Sequence, residues 1–263
     1  MSRAAHGLVA AVLLAGLAAG PAAAQPPGGI SRPADESHMS LLELGSQLYA
    51  ANCSTCHGID GSGVERPRPG AGNIKGRGPS LQGVGASAAD FYLRTGYMPL
   101  GNPTDQPTRH RVEFTEREIR ALVAYIAGLA PGPPIPHPDP AAGNLAEGHH
   151  LFTEHCAGCH QVVAKGGFVT AARVPPLEDA TVTQIAEAVR TGPYVMPRFS
   201  KKVISDDELN SIIAYVQSTK HPDDRGGWGI GNVGPIPEGM VAWLIAAVAL
   251  VMTCLVIGER IRS

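Results

Sequence analysis

The pentapeptide Cys-x-x-Cys-His occurs twice in this 263-residue chain, as Cys53-Ser54-Thr55-Cys56-His57 and as Cys156-Ala157-Gly158-Cys159-His160. Two thiols with two residues between them can straddle one edge of a porphyrin and form thioethers with its vinyl groups. The histidine that follows is then carried beneath the ring, where its imidazole can reach the iron. The pattern reads as covalent attachment of c-type haem, one group on Cys53 and Cys56 and a second on Cys156 and Cys159, with His57 and His160 as axial iron ligands. A zinc ribbon also pairs two CxxC motifs, but usually roughly 15–20 residues apart; here Cys56 and Cys156 are separated by 100 positions and each pair has its own histidine. A thioredoxin-like redox pair expects a βαβ pattern nearby, and none is visible. The fifth cysteine, Cys254, falls in an apolar stretch and reads as a small apolar residue.

The surroundings of the two motifs also repeat. Leu44, Leu48 and Tyr49 precede Cys53 with helical apolar spacing, and Leu151 and Phe152 precede Cys156. A proline–leucine turn follows each motif, Gly78-Pro79-Ser80-Leu81 and Pro175-Pro176-Leu177. Then come a helical stretch and a methionine–proline pair, Tyr97-Met98-Pro99 and Val195-Met196-Pro197. Each unit closes in an amphipathic helix opened by a capping box, Thr115 with Glu118 and Ser205 with Glu208. Ile119, Leu122, Val123 and Ile126 share their i, i+3, i+4, i+7 spacing with Leu209, Ile212, Ile213 and Val216, and Tyr125 and Tyr215 stand in register. The register match implies internal duplication and predicts an all-α fold of two tandem units, residues 40–130 and 144–220. The first unit carries extra loop on both sides of its methionine, including residues 101–111. Surface loops tolerate such insertions, and these read as partner-facing or neutral.

Composition marks the remaining segments. Residues 131–143 form a linker with six prolines between positions 131 and 140, which predicts a stiff, extended spacer. Residues 221–239 are rich in Gly and Pro and lead into residues 240–257, which carry no charge and, at about 1.5 Å per residue, are long enough for a transmembrane helix. Arg260 and Arg262 follow that stretch, so the positive-inside rule puts the C-terminus in the cytoplasm and both cysteine motifs on the outer face of the cell membrane. Residues 1–24 hold Arg3, a short apolar run and a small-residue motif, the pattern of an export signal; an uncleaved anchor is the other reading. Overall net charge is −2, and the first unit carries 9 Lys/Arg against 8 Asp/Glu, the second 7 against 8. No basic field suggests nucleic acid.

The second axial position decides what each iron can do. Methionine raises the potential and gives a six-coordinate, electron-transferring iron. Met98 and Met196 are the candidates, because each stands at the same place in the repeat and precedes proline. His38, His110, His149, His150 and His155 could offer bis-histidine ligation, but none is repeated between units and they read as surface residues. A ligating histidine needs its other ring nitrogen held by an acceptor, a task open to the turns at Pro79 and Pro176.

Each unit, with CxxCH, a Pro-Leu turn, Met-Pro and a terminal amphipathic helix, resembles class I cytochrome c. The whole order, with Gly226-Gly227-Trp228-Gly229-Ile230-Gly231 and Gly234-Pro235-Ile236-Pro237-Glu238-Gly239-Met240 entering the last helix, resembles the dihaem cytochrome c subunit of the actinobacterial menaquinol:cytochrome c reductase (the cytochrome bcc complex). That resemblance implies the electron-transfer subunit of a quinol:cytochrome c reductase. Such a subunit takes electrons from a Rieske iron–sulfur protein after menaquinol oxidation and passes them through two covalent haem c groups to an aa3-type cytochrome oxidase. Cytochrome b, the Rieske subunit and the oxidase would be its partners. Residues alone support an exported, membrane-anchored dihaem carrier, and three rivals stay open: a subunit of another membrane dehydrogenase, a free-standing tethered carrier, and a dihaem peroxidase, which would need an open axial position on one iron.

Overall fold

The computed structural model describes residues 29–64, 78–101, 108–170, 172–220 and 235–262. The export-like segment 1–24 and most of the 221–239 linker lie outside the described residues. The first unit is built from α1 (Leu41–Asn52), α2 (Ser54–His57), α3 (Gly85–Arg94) and α4 (Glu116–Leu129). The second repeats the order with α5 (Leu145–His155), α6 (Ala157–His160), α7 (Val182–Thr191) and α8 (Asp206–Lys220). A hairpin of two short strands, β1 (Gly167–Val169) and β2 (Ala172–Val174), stands between α6 and α7 with Phe168 opposite Arg173.

In each unit the first and last helices cross and seal the core. Leu44, Leu48 and Tyr49 on α1 meet Ile119, Leu122 and Ile126 on α4 in one buried cluster. Phe152 on α5 meets Leu209, Ile212, Ile213 and Val216 on α8 in the other. Each fully buried aliphatic side chain contributes roughly 1.5–3 kcal/mol. The crossings are close because glycine occupies the contact: a Cβ on Gly45 would overlap the carbonyl of Ala121, and one on Gly148 the carbonyl of Ser211. Both glycines stand eight residues before the first cysteine of their motif, and Ala121 and Ser211 each stand four residues before the repeated tyrosine. The duplication therefore extends to a backbone-on-backbone contact.

The caps explain where the helices begin. Thr115 Oγ1 and Glu118 exchange hydrogen bonds with each other's backbone N–H, as do Ser205 and Glu208, matching both predicted boxes. Thr181 and Gln184 form a third box at α7. Glu118 is fully buried and also receives Arg32, whose Nε lies 2.6 Å from its Oε1. Ser31 and Asn52 bond reciprocally through side chain and backbone, so the chain leading into α1 is strapped across the first unit.

The proline-rich linker packs against both units. Ser87 N–H donates to Pro133 O at 3.2 Å, Ile135 packs on the first core, and Asp139 N–H donates to Asn210 Oδ1 at 2.8 Å just before a 3-10 turn at Pro140–Ala142. The last helix, α9 (Pro235–Arg262), starts before the uncharged stretch does: its first turn carries two prolines, where a missing N–H breaks no helical bond. It is long and apolar enough to cross a membrane from Glu238 to Ile261, and the described residues leave that stretch uncovered.

Candidate haem-binding cavity

Each CxxCH motif forms a single helical turn, which sets its two thiols and its imidazole on one side of the chain. Cys53 caps α1 through its N–H to Tyr49 O, and His57 N–H donates to Cys53 O at 3.0 Å. Cys156 does the same to Phe152 O, and His160 N–H donates to Cys156 O at 2.9 Å. None of the four cysteines is in a disulfide with another described residue. Burial, and the neighbouring Cys56, push the Cys53 thiol up to about 12, and burial with Cys159 pushes Cys156 to about 11. A catalytic dithiol needs the opposite shift.

The two histidines are held alike. His57 Nδ1 lies 2.8 Å from Pro79 O, and His160 Nδ1 lies 3.2 Å from Pro175 O. A carbonyl only accepts, so Nδ1 carries the hydrogen and Nε2 keeps its lone pair. In the second unit the acceptor is Pro175 rather than the expected Pro176. Counting back from the shared leucine explains the difference: Pro175 stands two residues before Leu177, as Pro79 does before Leu81. Burial pushes the His160 imidazole towards its neutral form, against the pull of Pro175, and the neutral ring is the form that binds metal.

These residues converge on one space. A continuous, mostly apolar cavity of about 690 Å³ is lined by Cys53, Cys56, His57 and Met98 from the first unit and by Cys156, Cys159, His160 and Met196 from the second. All eight predicted site residues are brought together, and the two sets open into the same cavity. Met98 and Met196 each pack half-buried on their own unit's core. The wall combines apolar side chains with paired thiols and imidazoles whose Nε2 is free, a donor set that fits covalently held haem.

Residues 42–130 match the family described as cytochrome c, and residues 143–216 the family described as cytochrome c oxidase, cbb3-type, subunit III. The chain is 35% identical over 247 residues to the cytochrome bc1 complex cytochrome c subunit of Corynebacterium diphtheriae, covering 86% of this chain and 84% of that protein. It is 37% identical over 236 residues to the same subunit of Mycobacterium tuberculosis, covering 86% and 81%. The chain belongs to the family of cytochrome bc1 complex cytochrome c subunits. A cbb3-type cytochrome c oxidase subunit of Rhizobium leguminosarum is more distant, 29% identical over 193 residues, covering 66% of this chain and 59% of that one. Electron transfer is therefore the work of this bc1-complex subunit, and its cytochrome c domains imply covalently bound haem c.

Several residues at the cavity had no signal in the repeat. Arg109 and Arg173 bring cations to its wall, and His155, expected at the surface, lines it beside Cys156. The far end of the 101–111 loop thus returns to the site, although residues 102–107 lie outside the described residues. His38, His110, His149 and His150 are exposed. A hydroxyl anchors the chain after each motif, but from different helices. Tyr49 on α1 donates to Gly58 O at 2.7 Å, whereas Tyr215 on α8 donates to Val162 O at 2.8 Å. The aromatic pair itself is retained, Tyr49 on Tyr125 at 5.0 Å and Phe152 on Tyr215 at 5.3 Å.

Proposed function

We propose that this chain is the dihaem relay of a quinol:cytochrome c reductase, taking electrons from a Rieske iron–sulfur protein after menaquinol oxidation and delivering them to an aa3-type cytochrome oxidase. The observation that carries this reading is the shared cavity: two complete Cys-Cys-His-Met sets open into one space on a chain with a membrane-length helix. Haem c, when bound, supplies a one-electron carrier whose potential rises with methionine ligation. Cys53, Cys56, Cys156 and Cys159 would hold two such groups covalently. His57 and His160 would present Nε2 to the irons, oriented by Pro79 and Pro175, and Met98 and Met196 would supply the thioether ligands. Arg109 and Arg173 would meet the propionate carboxylates. We assign residues 40–130 and 144–220 to the two cytochrome c domains, with the motifs on the outer face. Arg260 and Arg262 beyond the apolar stretch support that orientation.

Membership of the bc1-complex family supports cytochrome b and the Rieske subunit as partners. The likeness of residues 143–216 to an oxidase-associated cytochrome family supports an oxidase as the electron acceptor. The test is purification of a tagged, detergent-solubilised chain. Cytochrome b haem, a Rieske signal and aa3 oxidase in the preparation are expected; a quinoprotein or flavoprotein partner in their place overturns the assignment. Met98→Ala and Met196→Ala are expected to keep haem attached while lowering the potential of one haem each. Retention of low-spin His/Met spectra by both haems in either variant removes that methionine as a ligand.

A further inference from the structure

The two units meet through α3 and α7, and a pair of acidic side chains lies in the seam. Glu187 on α7 is 0% exposed, and neither of its carboxyl oxygens has a hydrogen-bond partner among the described residues. Across from it are Asp90, 4% exposed, and Arg94, both on α3. Arg94 does not neutralise Glu187. Its Nε bonds both Asp90 oxygens at 2.8 and 2.9 Å, and its two terminal nitrogens bond Glu116 of α4 at 2.6 and 2.8 Å. Arg190, the nearest cation on α7 itself, is turned to the carbonyls of Phe199, Ile204 and Ser205 and to Asp206 at the start of α8. Ser87, one turn before Asp90, is also buried, with Oγ lacking a partner among the described residues.

Arg94 is thus shared by two carboxylates, of which Glu116 also has Arg120 of α4 at 3.8 Å; among the described residues none of these cations forms an ion pair with Glu187. Two ionised carboxylates facing one another offer only acceptors; a single proton between them creates a donor and removes the repulsion. Asp90 has its cation, so the proton belongs on Glu187, whose O–H can then donate to Asp90. Burial, and then the charge of Asp90, push Glu187 up to about 8.

We propose that Asp90 and Glu187 are positioning residues, a proton-dependent clasp that fixes the two redox sites relative to one another. The helices that carry the pair also wall the shared cavity, through Ala88 and Ala89 on α3 and Gln184 and Ala188 on α7. Opening the seam therefore changes the spacing of the two sites. The clasp holds whichever partners the complex contains, so it stands apart from the assignment of donor and acceptor.

The pH dependence follows from linkage. In an opened seam Glu187 titrates as an ordinary carboxyl, and in the closed seam near 8. The clasp is complete below the ordinary glutamate range, weakens by about tenfold per pH unit as pH rises towards 8, and is spent above that. The test uses the haem-loaded full chain in detergent. Amide-exchange protection of α3 and α7, corrected for intrinsic exchange, should fall by about tenfold per unit between pH 5 and 8 and then level off. An infrared band of a protonated carboxyl should titrate near pH 8. E187Q, a neutral isostere, should match the wild type at pH 5, lose the band and lose the pH dependence; E187A should be less protected than E187Q at every pH. D90N should move the band's titration downward. Wild-type protection that is flat with pH, absence of a protonated-carboxyl band, a band retained in E187Q, or an unmoved titration in D90N overturns the clasp.

Discussion

Gly45 and Gly148 show how a missing side chain is set by its neighbour. Alanine is the better helix former by about 1 kcal/mol, yet at these positions its methyl would overlap a carbonyl of the crossing helix. Gly45→Ala and Gly148→Ala are expected to destabilise their units by about 1–3 kcal/mol, the usual cost of overpacking, read as a lowered denaturant midpoint. A gain in stability would refute the close crossing. The spacing of these glycines from the cysteines was in the sequence but carried no meaning until the crossing was seen. The convergence of the two Cys-Cys-His-Met sets on one cavity was legible, because CxxCH has a fixed internal spacing and a Met-Pro pair follows it in the same order in each unit. Choices made by the turning backbone were not: Pro175 in place of Pro176, and the anchoring hydroxyl moved from Tyr49 to Tyr215. Nothing local distinguishes a tyrosine that reaches a loop carbonyl from one that only packs.

Helices with an apolar stripe and a capping box announced themselves, and α4 and α8 begin where Thr115 and Ser205 predict. Thr115→Ala removes the acceptor for the Glu118 N–H at a residue that is itself buried, and should cost about 1–2 kcal/mol. A thermal midpoint unchanged from the parent protein would show that the cap contributes nothing beyond Arg32. The β1–β2 hairpin escaped the sequence reading because three-residue strands are too short to show an alternation. The start of α9 was hidden by two prolines that look like linker and sit in a helical first turn. At α7, Thr181 and Gln184 form a box as clear as the other two, but it has no counterpart in the first unit, where α3 opens at Val84 without a side-chain cap.

Each unit has a core of about ten buried residues gathered against a cavity that its own side chains leave open. Small domains of this kind usually need a staple. The combined replacement of Cys53, Cys56, Cys156 and Cys159 by alanine should therefore leave both units largely unfolded; native helicity by circular dichroism in that variant would show that the polypeptide folds without its thioether links. Between the units, the linker bonded to Ser87 at one end and Asn210 at the other keeps the second site beside the first. Two separate carriers must find each other by diffusion, at a rate set by abundance and, where charges steer them, by ionic strength. Joined carriers meet at an effective concentration fixed by the tether. The transfer between these sites should therefore be indifferent to dilution and salt, leaving only the exchanges at either end of the chain exposed to them.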